Sequence, residues 1–145
     1  MLKAPYIDTS ALAKWYVNEP RSQDFEEYIE RHLPAAISRI TVLEFRCLLA
    51  RRRRTGEIDA RLERDIFAAF EKDVQAGALT LHPLEDAHAA AAVEVVARLK
   101  AQPLRSLDAL HLAVALSTGA SELATADRVM AAAATALGLK TVRFD

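Results

Sequence analysis

Tyr6-Ile7-Asp8-Thr9-Ser10-Ala11-Leu12 is the stretch on which the fold turns. A short apolar run, Pro5-Tyr6-Ile7, closes on a carboxylate, and a helix-compatible segment, Ser10 to Val17, follows at once. Tyr6 to Asp8 therefore reads as a first strand and Ser10 to Val17 as a helix, ended by Asn18-Glu19-Pro20. In an open parallel sheet a ligand sits beyond the C-terminal ends of the strands, so Asp8 already occupies a candidate crest position.

The same alternation continues outward. A second helix is expected from about Arg21 to His32, then a strand at Ala35 to Ser38 after Pro34. Thr41 to Arg54 reads as an amphipathic helix stopped by Thr55-Gly56, and Leu62, Ile66, Phe67, Phe70 and Val74 carry helical spacing between Asp59 and Gln75. Gly77 stands where a helix C-terminal glycine belongs. Leu79 to His82 is a third strand and Leu84 to Lys100 an Ala-rich helix. Ser106 is expected to cap a nearly all-apolar helix that ends at Gly119. Glu122 to Thr125, Asp127 to Leu137 and Thr141 to Phe144 complete the pattern as strand, helix and strand. Strands separated by helices imply right-handed crossovers and a mainly parallel sheet of about five strands, covered on both faces: a three-layer α/β/α sandwich over residues 1–145 as one domain.

Composition narrows the function classes. A chain of 145 residues with 52% hydrophobic content fits one core and argues against disorder. No apolar run is long enough to span a bilayer, and Met1-Leu2-Lys3-Ala4-Pro5 lacks the layout of a signal peptide, so a cytoplasmic location is the default expectation. The lone Cys47 agrees with a reducing compartment and reads as a small core residue on a helical apolar face. Net charge is −1, which gives no global attraction to nucleic acid. Fourteen of the nineteen basic residues are Arg, a bias that suits phosphate contact and fits equally a genome rich in Arg and Ala codons.

Asp8, Glu44, Asp108 and Asp127 form the informative constellation. Asp8 and Asp127 follow strand-like stretches, Asp108 lies in a helix first turn, and Glu44 interrupts an apolar stripe. Taken singly, Asp108 and Asp127 read as helix caps, Asp8 as the cap of the Ser10 helix, and Glu44 as a side chain reaching solvent from the stripe edge. Taken jointly they would repel: two unit charges 4 Å apart cost about 4 kcal/mol at an effective dielectric near 20. A hard divalent cation with oxygen ligands is the simplest compensation.

At these positions a resemblance becomes specific. Tyr6-Ile7-Asp8-Thr9-Ser10-Ala11-Leu12, Ser38-Arg39-Ile40-Thr41-Val42-Leu43-Glu44, Leu107-Asp108-Ala109-Leu110-His111-Leu112-Ala113 and Leu123-Ala124-Thr125-Ala126-Asp127 resemble the PIN-domain nucleases, and within them the VapC group of toxin ribonucleases from toxin–antitoxin pairs. The motifs span essentially the whole chain. The resemblance implies an acidic pocket that holds Mg2+ or Mn2+ and hydrolyses RNA. It aligns Asp8, Glu44, Asp108 and Asp127 with the four acidic positions, Ser10 with the small hydroxyl beside the first acid, and Thr125 with the hydroxyl before the last. Direct ligation is expected from Asp8 and Asp108, with Glu44 and Asp127 acting partly through water. It further implies a cognate antitoxin wrapping the region of the first helices, and a homodimer or toxin–antitoxin hetero-oligomer.

Other features are less decisive. His32, His82, His88 and His111 show no zinc-type spacing with each other or with Cys47. His111, one turn after Asp108, reads either as a pocket-wall hydrogen-bonding group or as a satisfied histidine in a buried helix. Arg51-Arg52-Arg53-Arg54 suits RNA phosphates and equally suits a solvated helix C-terminus. Arg39 and Arg105 lie near acidic positions and are candidates to position substrate or restrain carboxylates. Trp15, Tyr16, Phe25 and Tyr28 either line a groove for a partner or are ordinary core. An aspartate-nucleophile phosphatase needs a second acid two residues after the first, where this chain has Ser10. A receiver-type phosphoacceptor needs an early acidic pair, which is missing. A non-enzymatic adaptor remains the other reading, distinguished by indifference to divalent metal.

Overall fold

The computed structural model describes residues 3–145. Met1 and Leu2, part of the N-terminal stretch considered above, lie outside the described residues. The elements follow the expected alternation: β1 (Tyr6–Ile7), α1 (Thr9–Tyr16), α2 (Ser22–Glu30), β2 (Ala35–Ser38), α3 (Arg39–Arg54), α4 (Ala60–Gln75), β3 (Leu79–His82), α5 (Asp86–Arg98), α6 (Ser106–Ser117), β4 (Leu123–Thr125), α7 (Arg128–Ala136) and β5 (Thr141–Arg143). The five strands form one sheet in the order β3-β2-β1-β4-β5, and every pairing is parallel. Tyr6 sits between Ala36 on one side and Leu123 on the other. The chain thus winds outward from β1 through β2 to β3, then returns to the opposite side of β1. That reversal creates a crevice at the C-terminal ends of β1 and β4.

Alternation along the strands divides the core in two. Tyr6, Ala36 and Leu123 pack with residues of α5, α6 and α7, such as Val95, Leu112 and Met130. Ile7, Ile37 and Ala124 pack on the other face with residues of α1 to α4, such as Leu12, Phe25, Phe45 and Phe70. The sheet is therefore covered on both faces, as the three-layer reading requires. The first-helix aromatics belong to this packing: Phe25 is fully buried, while Trp15, Tyr16 and Tyr28 lie partly buried against the same core. Tyr16 donates to Asp73 and Tyr28 to Glu122, each at 2.5 Å.

Two expectations need correction. Cys47 is exposed, not a core residue. The buried face of α3 is set by Ile40, Thr41, Phe45 and Leu49, and a residue two beyond Phe45 is turned roughly 200° away at 100° per residue. Ser106 does not cap α6; it is the first helical residue, and Arg105 holds the N-cap position. The orphan N–H of Arg105 is instead satisfied from inside the helix, by Asp108 Oδ2 at 3.2 Å. Element starts also shift slightly. Asp8 becomes the N-cap of α1, accepting from Ala11 N at 3.0 Å, so the helix begins at Thr9. α3 follows β2 without a loop, and its entry is fastened by Ser38 N donating to Thr41 Oγ1 at 3.2 Å. Gly77 has φ +84°, the left-handed conformation expected after the end of α4.

Candidate functional site

Asp8, Glu44, Asp108 and Asp127 line a single hollow of about 70 Å³, together with Thr9, Ser10, Arg105, His111 and Met130. The four acids come from the end of β1, the middle of α3, the first turn of α6 and the end of β4. Sheet order explains the meeting of two of them: β1 and β4 are neighbours, so Asp8 and Asp127 leave the sheet on the same edge.

Asp8 is 3% exposed and both of its carboxylate oxygens accept hydrogen bonds. Oδ1 accepts from Ser10 Oγ at 2.7 Å and from Ala11 N at 3.0 Å. Oδ2 accepts from Thr125 Oγ1 at 2.5 Å. Burial pushes the Asp8 carboxyl above the usual carboxylate range, and the donors Ser10 and Thr125 only partly offset that. The two hydroxyls are themselves fixed. Ser10 Oγ accepts from Ala126 N at 2.9 Å, and Thr125 Oγ1 from Asp127 N at 3.0 Å. Asp127 Oδ1 caps α7 through Val129 N at 2.8 Å and Met130 N at 3.1 Å. Asp127 is thus a helix cap through Oδ1 and at the same time a residue lining the hollow.

Glu44 Oε1 accepts from Thr9 Oγ1 at 2.7 Å and from His111 Nε2. A carboxylate can only accept, so the shared proton sits on Nε2 and the other ring nitrogen faces the Tyr6 hydroxyl, 2.7 Å away. Tyr6 OH in turn reaches Ser38 Oγ at 2.9 Å. Burial opposes charge on Glu44, but the His111 and Thr9 donors and the nearby Arg105 outweigh it and hold the carboxyl below its usual range. Burial raises the Tyr6 hydroxyl, which stays protonated. Sequence reasoning does not single out Thr9 and Tyr6, because nothing in their local pattern separates them from an ordinary helix start and an ordinary strand residue. His111 does carry a signal, its spacing from Asp108, and its partners place it in the pocket wall.

The hollow's donor set fits a hard cation. Its acids are carboxylates, and three of them keep one oxygen without a hydrogen-bond partner among the described residues: Glu44 Oε2, Asp108 Oδ1 and Asp127 Oδ2. Asp108 Oδ2 instead takes the Arg105 N–H and lies 3.4 Å from Arg105 Nε. Among the described residues no three ligating side chains already stand in a closed ion-coordinating set. Of the arginines that the sequence marks as RNA-binding candidates, Arg105 alone lines this hollow. Arg39 lines a separate apolar hollow with Leu43 and Phe67. Arg52 pairs with Glu19 and Glu57, and Arg53 with the buried Glu63. Arg51 and Arg54 are exposed.

Comparison with known proteins places the fold. The sequence matches the PIN domain family over residues 6–136. No curated protein is similar in sequence. Among solved structures, the chain is similar to the sarcin-ricin-loop-cleaving toxin VapC20 of Mycobacterium tuberculosis, with TM-score 0.73 and 19% identity over 97% of this chain and 99% of that one. It is similar to FitAcB of Neisseria gonorrhoeae, with TM-score 0.66 and 17% identity over 95% of this chain and 96% of that one. It is also similar to a chain of a toxin–antitoxin complex from Klebsiella pneumoniae, with TM-score 0.60 and 18% identity over 86% of this chain and 87% of that one.

Proposed function

The chain belongs to the PIN-domain family, and from that premise we propose that it is a divalent-metal-dependent endoribonuclease, the toxin of a toxin–antitoxin pair. The observation that carries the reading is the convergence of Asp8, Glu44, Asp108 and Asp127 on one hollow at the sheet crest. Mg2+ or Mn2+ would be held by Asp8 and Asp108 directly and by Glu44 and Asp127 partly through water. When bound, such an ion supplies a more acidic water and offsets charge on phosphoryl oxygens.

The chain's own residues do the positioning. Ser10 and Thr125 hold Asp8 from both sides, so its carboxylate keeps one orientation. His111 and Thr9 do the same for Glu44 through one oxygen and leave the other free. Asp127 is anchored by the α7 N-terminus. The carboxylates are thereby set before a ligand arrives, which avoids reorganisation at the moment of reaction. Charged Asp8 is unfavourable where it is buried, and that favours exchange of its proton for a cation.

An antitoxin partner is proposed from the company the fold keeps, since one structurally similar chain belongs to a toxin–antitoxin complex. With it go a homodimer or toxin–antitoxin hetero-oligomer, a cytoplasmic setting, and residues 1–145 acting as one nuclease domain. Among the described residues no helix is long and apolar enough to cross a membrane. The test is incubation of purified protein with total RNA in Mg2+ or Mn2+, with the new ends mapped, beside Asp8→Asn. Metal-dependent cleavage that the variant lacks is expected. Cleavage by Asp8→Asn at the unmodified rate would refute the assignment.

A further inference from the structure

Among the described residues Arg105 is the one guanidinium lining the acidic hollow, and its contacts are those of an occupant that can leave. Its Nε lies 3.4 Å from Asp108 Oδ2 and its Nη2 3.8 Å from Asp127 Oδ2, while its side chain is 79% exposed. Both ion pairs are long, and an exposed arm costs little to move. The side chain is not needed to close the first turn of α6, because the backbone N–H of the same residue already bonds Asp108 Oδ2 at 3.2 Å.

The two cavities flanking Arg105 differ in what they admit. The acidic hollow, about 70 Å³ with Arg105 in its wall, has room for an ion and one or two waters, at about 30 Å³ per water. The adjoining cavity, about 290 Å³, is lined by Glu44, Arg105, Ser106, Leu107 and Asp108. Arg105 therefore stands on the boundary between a space sized for a cation and one sized for a larger group.

We propose that Arg105 is a metal-displaced cation: without metal its guanidinium screens Asp108 and Asp127 in place of the ion, and on metal entry it turns into the adjoining cavity and meets an RNA phosphate. The inference rests on the metal-dependent reading given above. A dication held by Asp108 and Asp127 would repel the guanidinium that lies 3.4 and 3.8 Å from them, and both cations would compete for the same two carboxylates. Once turned outward, the planar fork suits the bidentate geometry of a phosphate. Arg105 then works for the site twice: it lowers the repulsion that the metal-free acids create, and it binds substrate only after the metal has arrived.

The two halves of the proposal predict opposite changes, which a purely structural role would not produce. Thermal midpoints are measured against MnCl2 concentration for the unmodified protein, Arg105→Gln and Arg105→Lys, with no RNA present. Arg105→Gln should reach half of its metal-induced shift at roughly threefold to fivefold less Mn2+, as expected for removal of a partly exposed competing ion pair. Its KM for RNA should rise roughly tenfold, the effect of removing a charge-assisted hydrogen bond. Arg105→Lys keeps the charge, so its Mn2+ response should match the unmodified protein while its KM rises. If the unmodified protein responds to Mn2+ and Arg105→Gln responds at the same or higher concentration, this inference falls and the metal reading stands. An unchanged KM in Arg105→Gln also overturns it. An unmodified protein whose midpoint ignores Mn2+ overturns both.

Discussion

Thr125 Oγ1 donates a 2.5 Å hydrogen bond to Asp8 Oδ2, joining the last residue of β4 to the first residue beyond β1. The two are 117 positions apart in the chain and adjacent only because β1 and β4 pair. The same hydroxyl accepts from Asp127 N at 3.0 Å, so one threonine orients two of the four acids. Thr125→Val keeps the shape and removes both bonds. It should lower stability by about 1–3 kcal/mol at neutral pH, since the Asp127 N–H and the buried Asp8 Oδ2 each lose their partner. Urea denaturation at neutral pH and again in mild acid checks this. The effect should shrink in acid, where Asp8 takes up a proton.

Asp8 itself carries a signed pH dependence. Burial raises its folded-state carboxyl above the ordinary value of about 3.9, so the charged form opposes folding at neutral pH. That penalty is relieved as pH falls through the raised value toward the unfolded one. Asp8→Asn should therefore leave the neutral-pH melting temperature unchanged or raised and flatten the acid limb of the stability profile, while abolishing RNA cleavage. A clear fall in melting temperature would show that the carboxylate is needed for the fold.

His111 offers the opposite sign through Glu44. The folded-state Glu44 carboxyl is lowered, so its contribution to stability is present above the unfolded value of about 4.3 and disappears as pH falls through the folded one. Removing the donor removes that contribution. His111→Phe fills the space but takes one partner each from Glu44, which keeps Thr9, and from the Tyr6 hydroxyl, which keeps Ser38, and should cost about 1–3 kcal/mol at neutral pH. A double-mutant cycle with Glu44→Gln should show positive coupling between the two positions; simple additivity would mean that the pair contributes nothing.

The arginine run at the end of α3 should divide by partner. Arg52 is tied to Glu19 and Glu57, so Arg52→Gln should reduce stability by roughly 1 kcal/mol. Arg51 and Arg54 are exposed, and replacing them by Gln should leave stability unchanged but lower the salt slope of RNA binding by about 0.7 for each phosphate no longer neutralised. Fluorescence anisotropy of a labelled RNA at several salt concentrations reads this. An unchanged slope rejects a phosphate role for these two residues.

Local pattern carried much of this molecule. Strand–helix alternation, the stop signals at Asn18-Glu19-Pro20 and Thr55-Gly56, and the placement of Asp8 and Asp127 after apolar runs all depend on neighbours within a turn or a pleat, and such neighbours are written in order along the chain. The parallel sheet and its two covered faces follow from that alternation. What the tertiary structure decided is the choice among partners. Whether Cys47 faces core or solvent depends on which stripe of α3 meets the sheet. Whether Arg52, Arg53 or Arg105 is tied down depends on where Glu19, Glu63 and the acids arrive in space. The chain of hydrogen bonds from Tyr6 through His111 to Glu44 joins β1, α6 and α3, three elements whose approach is set by crossover connections. A side chain's spacing is a property of its own segment, whereas hydrogen bonds and ion pairs act over a few ångströms between segments that only the fold brings together.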